Sequence, residues 1–152
     1  MTPADNDLKG EVYRNPALTV DGVVLWRQDP DTLLVLLIER GGEPFRGCHA
    51  LPGGFVEYGE DPDAAIRREI AEETGLADLP FRQFHTYGAP DRDPRGHTVS
   101  VVYVAQPAGD CPRAVAGDDA AAADWHRVDD LPTLAFDHAL IVAQVLADPA
   151  TA

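Results

Sequence analysis

The residues best suited to chemistry are Glu60, Arg68, Glu69, Glu72 and Glu73, crowded into the stretch GGFVEYGEDPDAAIRREIAEETGL from Gly53 to Leu76. On a helix, residues three and four apart share a face, so Glu69, Glu72 and Glu73 point the same way. Like charges at that spacing cost a helix about 0.2–0.5 kcal/mol per pair, and Arg68, four residues before Glu72, offsets part of this. A solvated acidic face is the bland reading of three clustered glutamates. A site for a hard divalent cation is the other. Carboxylate oxygens suit Mg²⁺ or Mn²⁺, and no His or Cys cluster argues for zinc.

A helix must present these acids, and its limits are legible. Asp61 is a good N-cap, Pro62 suits the first helical position, and Gly75 is placed to end the helix in a left-handed turn. Ile66 and Ile70 can anchor it to a core. Around it, ALTVDGVVLW (Ala17–Trp26) and TLLVLLIER (Thr32–Arg40) read as strands joined by a turn at Asp29–Pro30. ALPGGFV (Ala50–Val56) reads as one short glycine-interrupted strand, Phe81–Pro90 and Thr98–Gln106 as strands, and Ala123–Val128 as a short strand. The alanine run before it looks bland. The loops are Gly41–Gly47, Asp91–His97 and Pro107–Asp119. Asp137–Asp148 reads as a closing amphipathic helix with Asp137 as its cap. Strands and two helices without a regular βαβ rhythm favour an α/β fold with a mixed sheet flanked by helices.

The 152 residues, 45% hydrophobic and 25% charged, suit one soluble domain. Residues 1–14 read as a polar N-terminal lead and 15–150 as the domain. Lys+Arg 12 against Asp+Glu 26 leaves a net charge of -14, which argues against nucleic acid or an anionic membrane as partner. A phosphorylated small molecule is repelled too unless cations bridge it to the protein. Cys48 and Cys111 have no metal-ligand spacing and make no disulfide framework, the N-terminus is not a signal peptide, and the longest aliphatic run is too short to span a membrane. A cytoplasmic location is expected.

The complete spacing is Gly54, five residues, Glu60, seven residues, Arg68-Glu69-Ile70, one residue, Glu72-Glu73, one residue, Gly75-Leu76. It resembles the signature of the Nudix hydrolases at every defined position. The box covers about a seventh of the chain, and the strand order around it is similar to the family's α/β/α sandwich. The resemblance implies hydrolysis of a nucleoside diphosphate linked to another moiety, with Mg²⁺ (or Mn²⁺) as cofactor. It implies Glu72 and Glu73 as metal ligands, Glu69 as a third ligand or the base that activates water, and Arg68 as the group orienting a box glutamate. Glu60 supports the metal shell, and the backbone carbonyl of Gly53 is a further ligand. Members often take another acid from a later loop; Asp118 and Asp119 are the candidates, with Glu57 a weaker rival.

YRNPALTVDGVV, ALPGGFVEYGE, DPRGHTVSVVYVA and LAFDH together resemble the ADP-ribose pyrophosphatase branch, and Pro90, fourteen residues after Leu76, is near a proline associated with it. ADP-ribose, cleaved to AMP and ribose 5-phosphate, is then the expected substrate. The alternatives are a nucleoside-triphosphate pyrophosphohydrolase that sanitises damaged nucleotides, and a non-catalytic module that senses an ADP-ribose-type ligand. Arg95 and His97 are candidates to meet phosphate or ribose. Dimers are common in this branch, so a homodimer is an open expectation.

Overall fold

Runs such as TLLVLLIER and TVSVVYVA have too little polar alternation to leave one face in water. The computed structural model buries both faces of the strands they form; it describes residues 7–8, 11–12, 14–117 and 120–151. Within the polar lead, Asp7–Leu8 (β1) and Glu11–Val12 (β2) pair antiparallel. Ala17–Asp29 (β3) is the axis of the main sheet, followed by Thr32–Arg40 (β4), His49–Ala50 (β5) and Gly53–Phe55 (β6). Pro62–Thr74 (α1), Arg82–Tyr87 (β7), Thr98–Ala105 (β8), Ala120–Arg127 (β9) and His138–Ala147 (α2) complete the order.

The seven-stranded sheet is mixed, as expected. β3 runs parallel to β8 from Ala17↔Thr98 to Val24↔Ala105. Along its other edge β3 pairs antiparallel with β6 near its start and with β4 near its end. β7 extends the sheet beyond β8, while β5 and β9 pair with β4. The period-two alternation of β3 decides which helix lies where. Val20 and Val24 join Ile66 and Ile70 of α1 in one core cluster, while Val23 and Leu25 join Ile141, Val142 and Val145 of α2 in another. A Cβ at Gly22 would sit 3.1 Å from Ile70 Cδ1 and 3.3 Å from Ile66 Cδ1, so this glycine lets α1 lie close to the sheet. Among the described residues, no helix is long and apolar enough to cross a membrane.

Several expected elements differ in detail. Ala50–Val56 is two strands, not one: β5 pairs with β4 and β6 with β3, and the chain changes partner at Leu51–Pro52. Pro52 has no N–H to give a ladder, but its carbonyl accepts from the Gly22 N–H at 2.9 Å. The alanine run is not bland: Ala120, Ala122 and Ala123 pair with Arg40, Glu39 and Ile38. Asp137 stands at the N-cap of α2 but makes no capping hydrogen bond, because its carboxylate accepts from Arg92 instead.

Candidate active site

α1 has the ends its sequence calls for. Asp61 accepts from the Asp63 N–H at 2.8 Å, Pro62 opens the first turn, and Gly75 closes the helix at φ 73° with its N–H on the Ala71 carbonyl. The last carbonyls of the helix are met by the loop before β9: the Val115 N–H donates to Thr74 O and the Gly117 N–H to Glu73 O. Ile66 and Ile70 face the core, which turns Glu69, Glu72 and Glu73 toward β6.

Arg68 organises the outer part of this acid wall. Its Nε and Nη2 donate to Glu60 at 2.7 and 2.9 Å, its Nη1 to Glu69 at 2.9 Å and Glu72 at 3.2 Å, and its Nη2 also to the Phe55 carbonyl at 3.1 Å. The Arg68 hydrogen bonds, joined by the Glu57 N–H, hold Glu60 down at about 2. The same bonds raise Arg68 further above its ordinary range. Burial pushes Glu69 up despite Arg68.

Glu73 is different. Burial, with the Glu69 and Asp21 charges adding to it, pushes Glu73 up to about 8. Its Oε2 is buried without a hydrogen-bond partner among the described residues.

Glu73 lines a cavity of about 190 Å³ together with Asp21, Gly53, Gly54 and Phe55. The same cavity is lined by Arg40, Arg92, Asp93, Arg95, Phe136 and His138. Arg95 lies between two rings, 5.3 Å from the Phe55 centroid and 5.5 Å from that of Phe136. Its Nε and Nη2 donate to Asp93, whose side chain is 3% exposed. Burial works against the Asp93 charge, but the Arg95 donors outweigh it and hold Asp93 below the usual carboxylate range. Arg40 lies 5.0 Å from the other part of this platform, the Phe136 centroid, and donates through Nε to Pro44 O at 2.8 Å. Burial, then the neighbouring Arg95 charge, lowers Arg40 from its ordinary value. Phe136 holds φ 52°, a left-handed backbone uncommon for a bulky residue and a form of local strain that tends to gather at functional sites. Arg92 donates two hydrogen bonds to Asp137, at 2.9 and 2.7 Å, and so fastens the β7–β8 loop to the start of α2.

Of the residues singled out from sequence, Gly53, Glu73 and Arg95 share the cavity wall, while Glu60, Arg68, Glu69 and Glu72 form the adjoining network. Glu57 points to solvent; only its backbone takes part. His97 is exposed and pairs through Nε2 with Gly88 O at 3.0 Å, away from the cavity lining. Asp118 and Asp119 lie outside the described residues. Sequence reasoning passed over Asp21, Arg40, Phe55, Arg92, Asp93, Phe136 and His138 as site residues. The fragments DRDPR and LAFDH held part of the signal, but nothing in either spacing says that they meet.

Among the described residues, no three His, Cys, Asp or Glu side chains converge into a ready metal cage. The guanidinium of Arg68 stands where Glu60, Glu69 and Glu72 would otherwise meet. The donor set nonetheless fits a hard divalent ion: it is all oxygen, and Glu73 Oε2 is a buried acceptor with no donor. A Cβ at Gly54 would meet the Glu69 carboxyl carbon at 2.5 Å, so any larger residue there would push the Glu69 carboxylate from its place.

The family model of the NUDIX domain matches residues 16–148. The chain belongs to the NUDIX family. It is 46% identical over 134 residues to an ADP-ribose pyrophosphatase of Methanocaldococcus jannaschii, covering 88% of this chain and 75% of that one. Among solved structures, the NUDIX domain of Shewanella oneidensis NrtR, cocrystallised with ADP ribose, superposes at TM-score 0.80 with 30% identity, covering 97% of this chain and 98% of that one. A bifunctional NMN adenylyltransferase/ADP ribose pyrophosphatase from Francisella tularensis, solved with AMP and a Mn ion, superposes at TM-score 0.77 with 28% identity, covering 89% of this chain and 42% of that one. Nudix proteins typically depend on divalent metal. The Nudix box of this chain is thus the loop from Gly54 and helix α1.

Proposed function

We propose that the protein hydrolyses ADP-ribose to AMP and ribose 5-phosphate with Mg²⁺ or Mn²⁺ as cofactor. The observation that carries this reading is the cavity itself: Glu73, with its partnerless carboxylate oxygen, lines it together with the two arginines Arg40 and Arg95. An anionic diphosphate suits the space between. The 46% identity to an ADP-ribose pyrophosphatase supports that substrate.

In this reading the Gly53 carbonyl, Glu72 and Glu73 would hold the metal, and Glu60 supports them through Arg68. A bound divalent ion supplies charge neutralisation at the phosphates and lowers the pKa of water. Glu69, raised by burial, is suited to take a proton from the attacking water. Water adds to one phosphorus and the bridging P–O bond breaks, the leaving phosphate taking the electron pair. Arg40 and Arg95 hold the anion in place, and Asp93 fixes the direction of Arg95. Asp118 and Asp119 follow Gly117, which is bonded to the Glu73 carbonyl, and they stay the candidates for an additional acid or base. The two thiols are free, which suits a reducing cytoplasm.

A substrate panel under matched Mg²⁺ tests the reading. The kcat/KM for ADP-ribose should exceed those for dGTP, 8-oxo-dGTP and ATP at least about tenfold, or ~1.4 kcal/mol. A triphosphate as best substrate replaces the assignment with nucleotide sanitising. The likeness to a NUDIX domain cocrystallised with ADP ribose favours one other reading, a ligand sensor. Tight ADP-ribose binding without turnover would establish that instead.

A further inference from the structure

His138 is the first residue of α2, is 4% exposed and lines the cavity although it belongs to no part of the Nudix box. Its Nδ1 accepts the backbone N–H of Leu51 at 3.0 Å, across 87 positions of sequence. A neutral imidazole that accepts at Nδ1 carries its proton on Nε2, and Nε2 faces Asp21 Oδ1 at 3.7 Å. Burial disfavours the charged ring and keeps it in this neutral form. The other Asp21 oxygen accepts from the fully buried Ser100 hydroxyl, which fixes the carboxylate in turn.

The network converges on one short segment, Leu51–Gly54. Leu51 is tied to His138 and Pro52 to the Gly22 N–H. Gly53 lies opposite Asp21 in the ladder, and a Cβ on it would come within 2.7 Å of Asp21 Oδ1. The segment then meets the acids of α1: the Gly53 N–H interacts with the Glu73 carboxylate, and the Gly54 backbone lies against Glu69. A buried anion at Asp21 also works against the charge of Glu73. A network kept for stability alone would do better without a second carboxylate beside the first.

We propose that His138, held in its Nε2–H tautomer by the Leu51 N–H on Nδ1 and facing Asp21 through Nε2, is a positioning residue that sets the Leu51–Gly54 backbone against Glu69 and Glu73 and so tunes divalent-cation binding. The inference rests on the metal reading above. Supports of this kind, one layer outside the ligands, commonly change metal affinity about 10- to 100-fold.

The test measures Mn²⁺ affinity without substrate, by electron paramagnetic resonance or calorimetry, alongside thermal melts. His138→Asn places an acceptor where Nδ1 was and should bind Mn²⁺ within about threefold of the wild type. His138→Gln moves its polar end to the Nε2 position, leaves the Leu51 N–H without its acceptor, and should weaken Mn²⁺ binding about tenfold or more. Folded variants that both bind Mn²⁺ like the wild type, or that weaken equally, overturn the proposal, and a purely structural role predicts lower melting temperatures with unchanged affinity. Should His138→Gln not fold, hydrogen exchange on the wild type decides: the amides of Leu51, Gly53 and Gly54 should gain protection with Mg²⁺, and no gain overturns the proposal. A wild type that binds no Mn²⁺ overturns the metal reading and this inference together. A wild type that binds, beside a His138→Gln variant that binds equally well, overturns the inference alone.

Discussion

The acid network of the Nudix box, which reaches the cavity through Glu73, and the arginine wall of that cavity are built in opposite ways. The acid wall is local: Glu60, Arg68, Glu69, Glu72 and Glu73 come from one loop and one helix, and Arg68 spans the network by bonds to residues at most eight positions away, apart from one to the Phe55 carbonyl. The arginine wall is assembled from distance: Arg40 ends β4, Arg95 sits in the β7–β8 loop, and Phe136 precedes α2. The acid wall is held by backbone periodicity, so its residues keep their spacing wherever the helix forms. The arginine wall is held by tertiary contacts between segments far apart in the chain. The acids supply the chemistry that any diphosphate needs, and the arginines face what differs between one diphosphate and another.

The largest expected effect breaks the acid wall. Glu73→Gln removes a buried charge and should lower kcat on ADP-ribose about 10²- to 10³-fold at saturating Mg²⁺, the size of losing one preorganised electrostatic contact. Because Gln keeps the shape, the melting temperature of the metal-free protein should hold or rise. Unchanged turnover would remove Glu73 from the metal site.

Next in size is the fastening of the arginine wall. Arg92 and Asp137 have side chains 5% and 20% exposed. Arg92→Ala strands the Asp137 carboxylate at the start of α2 and should cost about 2–3 kcal/mol, after discounting for its partial exposure. That corresponds to a fall of about 5–10 °C in melting temperature. A change under about 2 °C would mean the pair carries no load.

Arg95→Ala sharpens the contrast, since it should weaken the substrate while leaving the acid network in place, at some cost in melting temperature because buried Asp93 loses its side-chain donors. A charged hydrogen bond to phosphate is worth about 1.5–3 kcal/mol, so kcat/KM should fall roughly tenfold or more, chiefly through KM. Arg95→Lys should recover only part of it, because lysine lacks the planar group that lies between Phe55 and Phe136. A loss in kcat with KM unchanged would move Arg95 from holding the substrate to acting in the chemical step.

Metal should stabilise the acid wall alone. An ion that binds only the folded state adds RT ln(1 + [L]/Kd), about 1.4 kcal/mol at ten times Kd. The wild type should melt higher in millimolar Mg²⁺, Arg95→Ala should respond alike, and the Glu72→Gln/Glu73→Gln double variant should respond little. Equal responses in all three would place the ion elsewhere.

The smallest effect is on acid stability. Glu60 is held at about 2 against an ordinary 4.5, mainly by its Arg68 hydrogen bonds. A depressed carboxylate contributes stability that is present above the unfolded value and lost as pH falls through the folded one. The contribution of Glu60 should therefore fade between about pH 4.5 and pH 2, and Glu60→Gln should flatten that part of a stability–pH curve. An unaltered acid limb would show that the Glu60–Arg68 pair contributes nothing net to stability.

The sequence alone determined the Nudix box, the helix that carries it and its caps, the mixed α/β class, and the acidic character that makes a bridging cation useful. Each follows from short-range rules: helical periodicity, capping chemistry and strand burial act over a few residues and can be read in order. Tertiary structure alone decided that Ala50–Val56 splits at Pro52 to serve two partners, that the alanines from Ala120 pair with the end of β4, and that Asp137 serves Arg92 rather than its own helix. It also placed Asp21, Arg40, Phe136 and His138 on one cavity. Asp21 lies 19 residues from Arg40 and 117 from His138, and no local pattern spans such distances. These contacts exist because β3 lies parallel to β8 and both helices pack onto the sheet around it, which brings the start of α2 over the Leu51–Gly53 backbone. That pairing is non-local, and only the closed fold rewards it.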